Sequence, residues 1–331
     1  MKLWLRLLIG VVVGILLGLY LPDRAGDTGA LFADLSALVI NVGRFFLFPL
    51  IFFSAVTAVD ELRDESNLLA VLLWTGLFVL ATAFGSVVIA VALILIFAPE
   101  RIPPILQEGE PQHISGLPEI LSDVFPRNLF SLFAGDGNAL LPLLVFAFLL
   151  GAVLAYDRHV TDPVATVVDS ASRIFYRLSS IVVDVIAIGL VAVAASLMFT
   201  LRRTAELAIY GQLLLVVSVA VILIGLVIYP LSIYLLRRSS DPFRWLASMA
   251  APALQALASG DIYFTYPTLV RVTSSEREIG RRRGGAILPL ATALSRAGSA
   301  AVAAATFVVV IRSYTARSEE HTSELQSHAP I

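Results

Sequence analysis

Apolar runs long enough to cross a lipid bilayer dominate this chain, and they leave few options for its fold. Hydrocarbon holds no water for backbone N–H and C=O groups, so a spanning segment must satisfy them internally. A helix of about 20 apolar residues does so over the required distance. Such runs lie at about 3–21, 36–59, 68–98, 139–156, 170–200 and 206–236, with a seventh at about 285–311. The chain is 58% hydrophobic and only 15% charged over 331 residues, which excludes a soluble domain of this size. The expected class is an all-α integral membrane protein with many spans.

Several kinds of chemistry are excluded by what the chain lacks. It has no cysteine, so neither a disulfide framework nor a thiolate metal site can form. His113, His159, His321 and His328 are scattered without ligand spacing, and no metal is expected. No His-Glu zinc motif, serine–lysine dyad or paired aspartates fall on facing helices, so no catalytic residue is assigned and the protein is not expected to be an enzyme. No basic patch with interleaved aromatics points to nucleic acid. The first run reads as a retained helix, because Leu21-Pro22-Asp23-Arg24 follows it in place of a small-x-small cleavage site.

Residues 243–273 are apolar but interrupted by Pro252, Gly260, Asp261 and Pro267. That pattern predicts two half-helices meeting at a Gly-Asp tip, and irregular backbone at membrane depth survives only where protein or water covers it. The loop cations set the orientation. With the N-terminus inside, the cytoplasmic side receives Lys2, Arg63, Arg158, Arg173, Arg177, Arg237, Arg238, Arg244, Arg277 and Arg281-Arg282-Arg283. The outside receives Arg24, Arg101, Arg127, Arg202, Arg203 and Arg312. The broken stretch then enters and leaves on the cytoplasmic side, as a re-entrant hairpin.

The loop at about 99–138, with Pro103, Pro104, Pro111, Pro118 and Pro126, is expected outside. The transmembrane domain is expected to cover 1–316. Residues 317–331 begin with RSEEHTSELQS and read like a translated sequencing adapter or a disordered hydrophilic tail, so they are set aside from the fold.

Charges inside the runs mark where function is expected. Ser295-Arg296-Ala297-Gly298-Ser299 places an arginine in an apolar stretch, where an unpartnered charge costs a few kcal/mol or more. Asp261 is the natural opposite charge. Asp184 is a second carboxylate within a run; it reads either as a proton relay or as the partner of a cation, with Arg177 seven residues away suggesting a snorkelling arrangement. Arg44 reads as an interfacial anchor rather than a solute contact.

The order and spacing of several segments resemble the dicarboxylate/amino acid:cation symporters, the glutamate-transporter family. Gly43-Arg44-Phe45-Phe46-Leu47-Phe48-Pro49-Leu50-Ile51-Phe52-Phe53-Ser54 is similar to that family's second helix. Pro126-Arg127-Asn128-Leu129-Phe130, with Asn138 to Gly151, is similar to the approach to its fourth. Asp241-Pro242-Phe243 with Ala253 to Leu269 resembles its first re-entrant hairpin, and Leu288-Pro289-Leu290 the entry to its unwound seventh helix.

The resemblance covers nearly all of residues 3 to 312 and implies a glutamate-transporter-like fold. It also implies a trimer, with helices one, two, four and five as scaffold and helices three and six, the hairpin and the seventh helix as a moving part. Two departures stand out: Ser259-Gly260-Asp261-Ile262 replaces a serine-rich hairpin tip, and Ser295-Arg296-Ala297-Gly298-Ser299 replaces Asn-Met-Asp-Gly-Thr. The second departure puts sodium coupling in question, and no second hairpin or eighth helix follows within the chain.

The resemblance implies a secondary active transporter of a small carboxylate-bearing solute, such as a dicarboxylate or amino acid, coupled to Na+ or H+ and working by elevator-like displacement in the cell inner (plasma) membrane. The alternative is a transport-incompetent sensor or an anion-conducting channel of the same fold. Solute-binding residues are expected at Ser259, Gly260, Asp261, Thr265 and Arg296, and cation-binding residues at Thr292, Ser295, Gly298 and Ser299. Three readings of Asp261 and Arg296 stay open: an ion pair lining the site, a purely structural lock, or no contact. The hydroxyls likewise serve either a ligand or their own helix backbone. Tyr263, Phe264 and Tyr266 either narrow the cavity or simply pack.

Overall fold

The computed structural model describes residues 2–23, 26–64, 68–97, 116, 118, 124–125, 128–134, 140–156, 158–204, 210–236, 241–275 and 281–327. Most of the proline-rich loop lies outside these residues, as do Arg24, Arg101, Arg127, Arg237, Arg238, Arg277 and the Pro126-Arg127 part of the fourth-helix resemblance. The described residues are helical throughout, with short turns between. In order they form α1 (Leu3–Tyr20), α2 (Asp27–Phe45), α3 (Leu47–Asp64), α4 (Leu68–Phe97), α5 (Leu140–Leu154), α6 (Arg158–Arg203), α7 (Gly211–Leu223) and α8 (Tyr229–Leu236). Then follow α9 (Pro242–Ser248), α10 (Ala250–Ser259), α11 (Ile262–Ser275), α12 (Arg281–Leu294) and α13 (Ala297–Ser327).

Among the described residues, six stretches are long and apolar enough to cross a membrane: Leu3–Tyr20, Asp27–Leu62, Leu68–Phe97, Val160–Arg203, Gly211–Leu236 and Gly284–Ser313. Seven crossings were expected. The difference lies at 139–156, where α5 is only 15 residues long. Other boundaries moved as well. The run expected at 36–59 is two helices broken at Phe46, and Pro49 sits in the first turn of α3, where its missing N–H costs no helical bond. The run expected at 170–200 is the 46-residue α6. The polar tail, read as a translated adapter or a disordered extension, is helical as a continuation of α13 as far as Ser327.

The chain divides into two compact units. The first contains Met1–Leu77, Ser115–Thr204 and Arg244–Leu294. Its α1 lies along α6 with glycines in the seam. A Cβ on Gly14 would fall 2.4 Å from the Val191 carbonyl oxygen and 2.7 Å from the Ala194 Cβ, so only hydrogen fits. Gly10 and Gly18 meet α6 one turn to either side. Close backbone approach of this kind drives helix association where lipid removes any hydrophobic gain. The four-residue spacing of these glycines is a signal that the sequence reading did not use.

Two apolar clusters organise the rest of this unit. One joins α3, α5 and α6 to Tyr263 and Tyr266 of α11. The other joins α1 and α6 to Ala251 and Ala258 of α10 and Phe264 of α11. The hairpin arms are thus held on two sides by the same bundle. The hairpin arms pack against α1, α2, α3, α6 and α12.

The second unit contains Phe78–Ile114, Ala205–Phe243 and Ser295–Ile331. Its core is Ala90, Ile94, Val216, Ala301, Ala305 and Val309. Between α7 and α8 the backbone widens to a π-helical turn at Ile224–Ile228, just before Pro230. A proline removes one N–H and clashes with the preceding turn, and a π-turn is a common way to absorb both.

Candidate functional site

Four of the residues expected to bind solute, Ser259, Gly260, Asp261 and Thr265, lie at the turn between α10 and α11. Gly260 ends α10 with φ 65°, a left-handed conformation that a side chain would strain. Its N–H returns to the Ala256 carbonyl at 2.8 Å, and the Ser259 hydroxyl donates to the Gln255 carbonyl at 2.8 Å. The next residue, Asp261, is the N-cap of α11. Its Oδ1 accepts the N–H of Tyr263 at 2.8 Å and of Phe264 at 3.2 Å, satisfying two of the donors that a helix start leaves open. The Thr265 hydroxyl bonds back to the Asp261 carbonyl at 2.8 Å.

The other carboxylate oxygen of Asp261 takes Arg44 of α2. Nη2 lies at 2.5 Å and Nε donates at 2.7 Å, with the Asp261 side chain only 10% exposed. The Arg44 guanidinium also stands 5.7 Å over the Tyr263 ring, within cation–π range. Arg44, read from the sequence as an interfacial anchor, is thus an ionic partner of Asp261. The approach depends on Gly43, where a Cβ would come within 2.4 Å of the Phe264 ring.

Below the tip the two arms are tied together by a buried polar link. Gln255 is fully buried; its Nε2 donates to the Phe264 carbonyl at 2.8 Å and its Oε1 accepts from the Thr268 hydroxyl at 2.5 Å. This link sits one turn before Pro267, which interrupts the backbone ladder of α11. The three aromatics expected either to line a cavity or to pack are buried, at 5% for Tyr263, 0% for Phe264 and 1% for Tyr266, and they pack. Ser259 and Thr265 spend their hydroxyls on their own helices.

The other arm of α11 lines a recess against α3, α6 and α12. It comprises a polar part of about 220 Å³ that includes Ser54, Thr57, Glu61, Asp169, Ser172 and Arg173. An apolar part beside it shares Ser54 and Gly285 and reaches Tyr266 and Leu288. The Tyr176 and Ser274 hydroxyls hydrogen-bond at its edge.

Asp184, expected either to relay a proton or to pair with a cation, pairs with two. Arg271 Nη1 lies at 3.0 Å and Arg6 Nη1 at 3.4 Å, both on Oδ1. Neither arginine was singled out in the sequence, because each sits within an apolar or broken run and only the fold brings it to Asp184.

The seventh apolar run breaks as its composition suggests. Ser295 and Arg296 are non-helical between α12 and α13, and Ala300 N–H returns to the Arg296 carbonyl at 2.9 Å. Thr292 is buried one turn before the break, while Gly298 and Ser299 begin α13. A break of this kind frees backbone N–H and C=O groups that can meet ions.

Six long apolar stretches among the described residues define a multi-pass membrane protein. The chain belongs to the sodium:dicarboxylate symporter family, whose profile matches residues 3–319. Among its relatives is a C4-dicarboxylate transport protein of Anaeromyxobacter sp. (strain K), 28% identical over 199 residues, covering 57% of this chain and 44% of the relative. A C4-dicarboxylate transport protein of Azorhizobium caulinodans is 26% identical over 213 residues, 61% of this chain and 45% of the relative. The serine/threonine transporter SstT of Lacticaseibacillus casei (strain BL23) is 25% identical over 249 residues, 72% and 53% of the two chains. The chain therefore spans about half the length of the curated relatives it matches.

Proposed function

We propose that this chain is, or forms part of, a secondary active symporter for a small carboxylate-bearing solute such as a dicarboxylate or an amino acid. The observation that carries the reading is the α10–α11 turn, a helix break at Gly260 and Asp261 braced by Arg44, in a member of this family. The turn acts as a re-entrant hairpin opening on the cytoplasmic side, in the inner (plasma) membrane, with the N-terminus in the cytoplasm. Relatives named for C4-dicarboxylate and for serine/threonine transport support the solute class.

Each broken element contributes by its own local chemistry. At the hairpin tip, Ser259, Gly260, Asp261 and Thr265 meet the solute once the Arg44–Asp261 contact opens and the two hydroxyls turn from their own helices. Arg296, within the other break, offers a guanidinium fork for a carboxylate. Around that break, Thr292, Ser295, Gly298 and Ser299 with the freed carbonyls face the coupling cation, Na+ or H+. The protein works as a homotrimer and moves its solute by an elevator-like displacement of the hairpin.

The Arg44–Asp261 pair also favours a second reading, because a closed ionic contact at the tip restrains the hairpin. A sensor or anion channel of the same fold would keep that contact shut throughout its cycle. Proteoliposomes decide between the two. Accumulation of labelled succinate, aspartate or serine driven by an imposed Na+ or H+ gradient supports the carrier. Anion current without coupled solute uptake supports the channel.

A further inference from the structure

The cluster of Arg6, Asp184 and Arg271 lies outside the hairpin tip, and its charge does not balance. Two guanidiniums share one carboxylate oxygen, Oδ1, each through Nη1 alone. Arg271 sends a further bond to the Ser180 carbonyl, again from Nη1, at 3.1 Å. The remaining edges of both guanidiniums are thus uncommitted to Asp184. All three side chains are open at the surface, with 47%, 48% and 32% exposure for Arg6, Asp184 and Arg271.

Helix lengths fix the depth of this cluster. The α1 helix has 18 residues, which at 1.5 Å each is about 27 Å, close to the hydrocarbon thickness of roughly 30 Å. Its far end is marked by a set of charges: Arg203 on Asp23 at 2.5 Å, and Arg202 donating to the Gly18 and Leu21 carbonyls at 2.9 and 3.2 Å. Along α6, Asp184 and Arg202 are again separated by about 27 Å. Measured on α1, Arg6 and Leu21 are about 22 Å apart, so the two charged levels are separated by about 22–27 Å, close to a hydrocarbon thickness. A bilayer centred on α1 sets Arg6, Asp184 and Arg271 near the opposite headgroup level. The elements packed there, α1, α6 and α11, bring Lys2, Arg6, Asp184, Arg177 and Arg271 to that end of the bundle, an excess of positive charge.

We propose that Arg6 and Arg271, bridged by Asp184, bind the phosphate of an anionic lipid headgroup. A phosphate oxyanion offers several acceptor oxygens to the open guanidinium edges and neutralises the surplus charge, which a zwitterionic headgroup leaves in place. Asp184 orients both guanidiniums and weakens the site by its own charge. The assignment is independent of whether the chain transports a solute.

The test uses the full chain in mild detergent, titrated separately with phosphatidylglycerol, phosphatidylcholine and inorganic phosphate, reading bound lipid by native mass spectrometry and the melting temperature. Phosphatidylglycerol binds and raises the melting temperature, while the other two do not. Arg6→Gln, whose ion pair is the longer one, weakens phosphatidylglycerol binding roughly fivefold, and Asp184→Asn strengthens it by a comparable factor. Arg6→Gln alone suffices if Arg271→Gln fails to fold. Equal binding of phosphatidylcholine, no effect of Arg6→Gln, or weaker binding in Asp184→Asn overturns the site. Full reproduction by inorganic phosphate overturns the lipid as its occupant.

Discussion

Arg44 on α2 and Asp261 at the start of α11 meet through one carboxylate oxygen, at 2.5 Å from Nη2 and 2.7 Å from Nε, across a sequence separation of 217 residues. The second oxygen of Asp261 caps α11. One side chain therefore both starts a helix and ties the turn to a neighbouring helix.

The two roles separate by substitution. Asp261→Asn keeps a capping oxygen and loses the charge; Asp261→Ala loses both. Because Asn and Asp are comparable caps, while a lost cap costs about 0.5–2 kcal/mol, Asp261→Ala is expected to be the less stable by that margin. Thermal unfolding of both variants in one detergent checks the order. Equal stability would mean that the cap contributes nothing.

Gly260 stands at φ 65° with open space around its Cα. The cost of Gly260→Ala is thus conformational rather than steric, about 1–2 kcal/mol, and Gly260→Asn costs less because Asn tolerates this region. A melting series of Gly, Asn and Ala at this position should fall in that order.

The seam of α1 on α6 is steric instead. A Cβ at Gly14 has backbone on one side and Ala194 on the other, so Gly14→Ala forces the helices apart and costs about 1–3 kcal/mol, and Gly14→Leu costs more. Comparable substitutions at Gly76, which has nothing within 4 Å, should be neutral in the same assay.

Asp23 gives a pH dependence with a definite sign. The Gly29 N–H first, and then the Arg203 guanidinium, hold its carboxyl below the usual carboxylate range. The folded form therefore gains stability that is complete above the ordinary pKa of about 4 and is lost as pH falls through the depressed value. A melting temperature followed downward from about pH 6 should decline below about pH 4, and Asp23→Asn should flatten the part of that decline due to this group. An unchanged acid limb in the variant would remove Asp23 from the account.

Much of the hairpin was legible because its signals are local. Pro252, Gly260, Asp261 and Pro267 are chain-breaking or capping residues within one stretch, and the turn falls at Gly260 and Asp261. Ser295 and Arg296 likewise interrupt their own run. Partnerships were not legible. Whether Asp261 meets Arg296 stayed open in the sequence, and nothing there signalled that Arg44 reaches it, beside the contact of Gly43 with Phe264. Arg6 and Arg271 escaped notice for the same reason, since charge pairing between distant helices leaves no period in the sequence. The glycine row of α1 does leave one, at every fourth residue, but only the structure showed that it faces α6. Helix ends were least legible where a run continues as polar helix, as the 46-residue α6 shows.

The central claim is that Arg44 holds the hairpin tip through Asp261, and a double-mutant cycle tests it most directly. Arg44→Gln, Asp261→Asn and the double variant are unfolded thermally in one lipid–detergent mixture. With Asp261 nearly buried and Arg44 about one-third exposed, the predicted coupling is about 1–3 kcal/mol, so that the double variant loses less than the two single losses combined. Additivity to within about 0.5 kcal/mol would contradict the claim and leave the hairpin without its ionic brace.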